Sequence, residues 1–259
     1  MIDSGFRRLA LGGICLALAA CSSSRGLTKG DEELGLDPQG SPAELYVRMA
    51  EAYYGRGQLE EAFRRANKAV EADDSYPRAH IWLAFLYEQI KQTDRARPHY
   101  QRALELGPNN PDVHYAYGSF LCRQRQYAEA DAEFAKTLAN PLYATPWLAM
   151  TSAGNCAASA GNSSKAEGYY RSAISAQPGF GPPLVELAKS SSKRGDAKTA
   201  QEYIDRYFGP GTVRTPETSY SALTIGIEIE RKLGNRKRAD EYERLLRTNF
   251  AQAPRTTDL

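Results

Sequence analysis

Histidine, cysteine and tryptophan are scarce in this chain: three, four and two residues among 259. The three histidines have no metal-ligand spacing, so no zinc-type site is expected. The cysteines form no CxxC pair, which excludes a thioredoxin-like redox motif. Glycine-rich phosphate loops are absent, and "GDEEL" at 30–34 lacks the spacing of a calcium loop. No nucleophile is accompanied by a base. Charge of one sign is also missing. The net charge is +2 and the densest basic stretch, "RKLGNRKRAD" at 231–240, reads as a solvated helix end. Nucleic acid as a main partner would need a basic stripe that releases counterions. Apolar runs long enough to span a bilayer as a helix, about 20 residues, do not occur either. These absences together point away from an enzyme, a cofactor, a small-molecule substrate and a nucleic-acid partner.

What is present begins at the N-terminus. Arg7 and Arg8 precede "LALGGICLALAA" at 9–20, a short apolar run ending in small residues. That is the build of a secretory signal peptide, 1–20. Its end, "LAAC" at Leu18 to Cys21, resembles the bacterial lipobox. A small residue precedes the cut, and the thiol after it takes the lipid. Cys21 is thus the expected lipidation site, carrying diacylglycerol and palmitate-type acyl chains. Ser22 follows where Asp would signal inner-membrane retention, so the expected location is the outer membrane, on its periplasmic face. Residues 21–42 are polar and rich in Gly, Ser and Pro, and read as a flexible tether.

From 43 to 259 nearly every segment reads as helix, with an internal period. Ala62, Ala96, Ala130, Ala166, Ala200 and Ala239 recur at spacings of 34, 34, 36, 34 and 39. A 34-residue period is that of the tetratricopeptide repeat (TPR), a helix pair stacked into a superhelix. Twelve residues before each alanine stand the small residues Ala50, Ala84, Gly118, Gly154 and Ala188, with Ile227 departing in the sixth repeat. The expected fold is therefore all-α, a right-handed superhelical solenoid of six TPR helix pairs starting near 43, 77, 111, 147, 181 and 220. Two extra residues in "LANPLYATP" and five in "YFGPGTVRTPETS" carry Pro, which cannot continue a helix. They are expected to set the sixth pair off slightly. Asp74 stands where repeat 1 would have a turn proline.

His80 and His114 are 34 apart at one repeat position and are expected to pack, with His99 at the surface. Cys15 lies in the leader and Cys21 takes lipid. Cys122 and Cys156 remain, on the A helices of adjacent repeats, where their spacing of 34 puts them at similar heights. In an oxidising compartment they are either bridged or two buried thiols. The concave face of a TPR array is lined by its A helices. In this register Val47, Tyr54, Arg78, Ile81, Phe85 and Tyr115 would line an apolar groove with charges at its rim, the make-up of a protein-binding site. The same apolar residues would also serve as core shared between repeats. Repeats 4 and 5 offer mainly polar residues there, Thr151, Asn155, Ser159, Lys189 and Ser192.

One stretch is more particular than a generic repeat: "YGSFLCRQRQYAEADAEFAKTLANPLYATPWLAMTSAGNCAASAG", residues 117–161. Its "FLC", "NPLY" and "AGNC" segments, the lipobox and the ending "IGIEIERKLGNRKRADEYERLLRTNF" resemble the PilF/PilW family of type IV pilus biogenesis lipoproteins, the TPR pilotins. The resemblance covers the whole mature chain. It implies a non-enzymatic outer-membrane lipoprotein that binds the pilus secretin and promotes its localisation and multimerisation. It also implies that Cys21 is the lipid anchor and that Cys122 and Cys156 form the family's interhelical disulfide. A TPR lipoprotein serving outer-membrane protein insertion or cell-wall synthesis would share the lipobox and repeats but lack that stretch.

Overall fold

The computed structural model describes residues 41–250. Cys21, the leader and nearly all of the tether lie outside them. Twelve α-helices pair off along the described chain. The first three pairs are α1 (Pro42–Gly55) with α2 (Leu59–Ala72), α3 (Pro77–Gln89) with α4 (Thr93–Leu106), and α5 (Pro111–Arg123) with α6 (Tyr127–Ala139). The last three are α7 (Pro146–Ser159) with α8 (Ser163–Ala176), α9 (Pro182–Lys193) with α10 (Ala197–Phe208), and α11 (Pro216–Lys232) with α12 (Arg236–Asn249). No helix among the described residues is long and apolar enough to cross a membrane.

The boundaries follow from local chemistry. Each A helix opens on proline, whose fixed φ suits the first turn and whose missing N–H has no acceptor there anyway. Each A helix closes through one residue in the left-handed region: Gly57, Lys91, Arg125, Gly161, Gly195 and Gly234. The next N–H then bonds back into the helix, as in Gln58 to the Tyr53 carbonyl and Gln126 to that of Leu121, both at 2.9 Å. This hairpin geometry repeats six times and turns each B helix back against its A helix.

The repeat alanines lie where these helices cross, all at 3% exposure or less. Opposite them a small residue is obligatory. A Cβ on Gly154 would stand 2.5 Å from the Tyr170 ring, and one on Gly226 would stand 2.9 Å from the Tyr242 ring. This resolves the sixth repeat's departure. Gly226, not Ile227, makes the close approach there, and its partner is Tyr242, three residues after the repeat alanine rather than four. The contact has slid by one residue on both helices.

The sixth pair also begins earlier than the period suggests. Thr215 and Thr218 form a reciprocal capping box and Pro216 follows at the first helical position, so α11 starts at 216 rather than 220. Nor does the five-residue insert detach that pair. One buried cluster runs from Tyr170 through Leu187, Ile204 and Tyr207 to Ile229 and Tyr242. The insert folds back instead. Val213 forms a parallel bridge with Phe180, donating from its N–H to the Gly179 carbonyl at 2.7 Å and accepting from Gly181 at 3.1 Å. A Cβ on Gly181 would lie 2.6 Å from the Val213 carbonyl oxygen, so only glycine fits beneath the strap.

Candidate functional site

Helices α3 and α5, the A helices of repeats 2 and 3, stand side by side with their first turns at one edge. Between them lies a cleft of ≈ 750 Å³. Its walls combine Ile81, Trp82 and Phe85 from α3 with Tyr115 from α5, and Tyr76 and Tyr100 also line it. Arg78, Asp112 and Arg123 bring charge to its rim. Four of the six expected groove residues, Arg78, Ile81, Phe85 and Tyr115, thus line one cleft. Tyr54 on α1 extends the aromatic surface, with its ring edge-on to Phe85 at 5.0 Å and to Trp82 at 6.2 Å.

Val47 does not line the groove. It is fully buried with Ala69 and Ala79 under Tyr46, Val70, Tyr76 and Trp82. The two aromatic rings from the next repeat roof over the position, which in repeats 2 and 3 stays half-exposed as Ile81 and Tyr115. Trp82 is the groove residue the sequence reading passed over. It precedes Phe85 by three positions, so the two share a helical face, and that spacing was the available signal.

The charged rim is held in place. Glu88, with its side chain 8% exposed, takes two hydrogen bonds from the Arg123 guanidinium at 2.9 and 2.6 Å and one from the Tyr100 hydroxyl at 2.7 Å. Burial, reinforced by the Glu88 carboxylate, pushes the Tyr100 phenol far above its ordinary range, so it acts as a neutral donor. Arg78 pairs with Glu51 of α1. Each of these ion pairs joins A helices of successive repeats, which fixes the cleft's width and aims its cations. Past Tyr115 the face turns polar. The Tyr115 hydroxyl meets Ser152 at 3.1 Å, Thr151 is buried and bonds the Trp147 carbonyl, and Asn155 accepts from Tyr170.

Cys122 on α5 and Cys156 on α7 are joined as a disulfide, with Cα atoms 5.7 Å apart. The bond ties the groove's last A helix to the first helix of the polar half.

Behind the groove lie the histidines. His80 is buried, with Nε2 facing the Asp74 carbonyl at 2.9 Å and Nδ1 facing His99 Nδ1 at 3.2 Å. His114 repeats the first contact at Pro108 and meets Glu133 at 2.6 Å in place of a second histidine. His99 is not a surface residue. It is half-buried, with its ring stacked between His80 and Tyr87. Burial, then the neighbouring His80 and Arg95, lower its affinity for a proton, and Asp74 opposes them weakly. The unfolded chain therefore binds more protons near the ordinary histidine range, 6.5. This contribution to stability is complete above that value and is lost as the pH falls below it, down through the lower value of the folded protein. The thermal midpoint is accordingly expected to fall between pH 7.5 and 5.5. His99→Gln should flatten that part of the profile, and an unchanged slope in that variant would rule out His99 as the cause.

A tetratricopeptide repeat model matches residues 77–120, which are the second repeat and most of α5 in the third. The chain is 24% identical over 199 residues to the type IV pilus assembly protein PilF of Pseudomonas aeruginosa, with 77% of each covered. Its fold superposes on the crystal structure of PilW, described as a widely conserved type IV pilus biogenesis factor, with TM-score 0.72 and 30% identity. That match covers 85% of this chain and 98% of that one. The solved Pseudomonas aeruginosa PilF is similar in fold, with TM-score 0.69, 23% identity, and 87% and 96% covered.

Proposed function

The chain belongs to the PilF/PilW family of type IV pilus biogenesis TPR proteins, and from that premise we propose that it is a lipoprotein of the outer membrane that delivers the pilus secretin. In this reading Cys21 carries the lipid, the solenoid lies on the periplasmic face, and the cleft between α3 and α5 holds a secretin segment. Binding there promotes the secretin's outer-membrane localisation and multimerisation. The observation that supports it best is the cleft itself. Aromatic and aliphatic anchors sit at the centre, with paired cations at the rim, which is how protein-binding sites concentrate affinity. The chemistry is non-covalent throughout. The lipid selects the membrane, the groove selects the partner, and the tether raises the partner's local concentration at the bilayer.

The anchor's role is tested by Cys21→Ser. The variant should fold, remain soluble and still recover secretin from a detergent extract. Secretin multimers should be missing from the outer-membrane fraction. Normal multimers there would show that delivery does not depend on Cys21.

A further inference from the structure

The turns joining each A helix to its B helix form one edge of the described solenoid, and this edge is basic. Lys91, Arg125, Lys193, Arg236 and Lys237 lie at or beside those turns, all exposed and with no ion pair among the described residues. The first turn carries Arg56, also exposed, and the fourth, at Gly161, carries no cation. Acidic residues on the same edge are few: Asp196 in a turn, and Glu60 and Asp94 one residue inside α2 and α4. The opposite turns are different. They carry Asp73 and Asp74, one cation (Arg214) and the exposed apolar residues Leu142 and Val213.

Cations near the C-terminal ends of helices are common because they complement the helix dipole. That does not explain Lys91 and Arg125. Each occupies the left-handed position of its turn, with φ of 59° and 60°. The four other repeats place glycine there, with open space where a Cβ would go. An L residue in this region is strained where glycine is not. The hydrogen bonds are the same in all six turns, so the side chain does nothing for the hairpin. What it does is project a cation from the turn tip in two consecutive repeats. Strain kept at an exposed position is a mark of function.

We propose that this edge lies on an anionic phospholipid surface. The cations are spread over the second, third, fifth and sixth turn tips, rather than around a hollow that would grip a single carboxylate or phosphate. A planar, delocalised array of negative charge is what such a row complements. The inference deepens the membrane side of the function proposed above, and rests on it for its setting. A lipid on Cys21 would keep the bilayer within the tether's reach, so weak charge contacts would suffice to orient the solenoid.

The test uses the full chain with Cys21→Ser, so that no lipid contributes, and its Lys91→Gly/Arg125→Gly derivative. Both are sedimented with vesicles of phosphatidylethanolamine and phosphatidylglycerol, and with vesicles of phosphatidylethanolamine and phosphatidylcholine. The leader is common to every arm, so the readout is the difference between them. The parent should bind the anionic vesicles preferentially, and high salt should release it. The double variant should bind them roughly twenty-fold more weakly, at about five-fold per cation. Because glycine relieves the strain, its thermal midpoint should be no lower than the parent's, which separates lost contact from lost fold. Equal binding by the two chains, or equal binding to both vesicle types, would overturn the assignment. If the double variant binds vesicles normally but recovers less secretin, the edge docks protein and the lipid assignment is wrong. No pilus protein is present in the vesicle assay, so its failure would leave the groove's proposed role standing.

Discussion

Replacing Cys122 and Cys156 with serine is expected to lower the protein's thermal midpoint by roughly 10 °C. The bridge closes a loop with a sequence separation of 34. Removing a crosslink of that span returns about 3–4 kcal/mol of conformational entropy to the unfolded chain. In a chain of this size each kcal/mol shifts the midpoint by about 2–4 °C. The effect is also local. The bridge ties α5 to α7, and beside it the described polar contact between those helices is the single Tyr115–Ser152 bond. Without the bridge, hydrogen exchange should quicken first in α5 and α7. Reductant added to the parent protein should reproduce the shift. If the serine variant melts with the parent while mass measurement confirms that the parent is oxidised, the bridge contributes nothing to stability and its value lies elsewhere.

Phe85→Ala is expected to weaken capture of the proposed partner, the pilus secretin, at least thirty-fold, a loss of about 2 kcal/mol or more, as for a central aromatic anchor. Phe85 is half-exposed and sits at the middle of the cleft, edge-on to Tyr54 and Trp82. Truncation removes apolar surface that a partner would bury and also unseats both neighbours. Circular dichroism and the thermal midpoint should change little, because the core beneath is Leu83, Ala84 and Leu86, all at 3% exposure or less. Ser159→Ala, on the polar half of the A-helix face, serves as the control and should bind normally. Undiminished capture by the folded Phe85 variant would move the binding site off this cleft.

These two expectations differ in how far the sequence alone could have carried them. The cysteine pair was legible because the two residues lie on the A helices of adjacent repeats, which stand side by side, at similar heights along them. The groove was only partly legible. Val47, Ile81 and Tyr115 share one repeat position, yet Val47 is buried and the other two line the cleft. Nothing in repeat 1 distinguishes Val47. What covers it comes from the next repeat, as Tyr76 and Trp82. Trp82 itself follows a helical face shared with Phe85, and was readable from its spacing. His99, in the middle of α4 beside Tyr100, was expected at the surface, but its environment is made by His80 and Tyr87 on another helix.

The sequence by itself determined the helix pairs, their number and most of their register. Those are local properties: a proline opens each A helix, a turn residue closes it, and a buried alanine recurs where the two helices cross. The tertiary structure alone decided what depends on neighbours. It selected Gly226 and Tyr242 for the last close contact, roofed Val47 over, and bridged Val213 to Phe180. It also revealed that two of six identical turns hold a strained cation where the other four hold glycine. Periodicity specifies which residues meet in an average repeat. Burial and strain are set by the particular side chains on the repeats to either side, and those differ at every step along the solenoid.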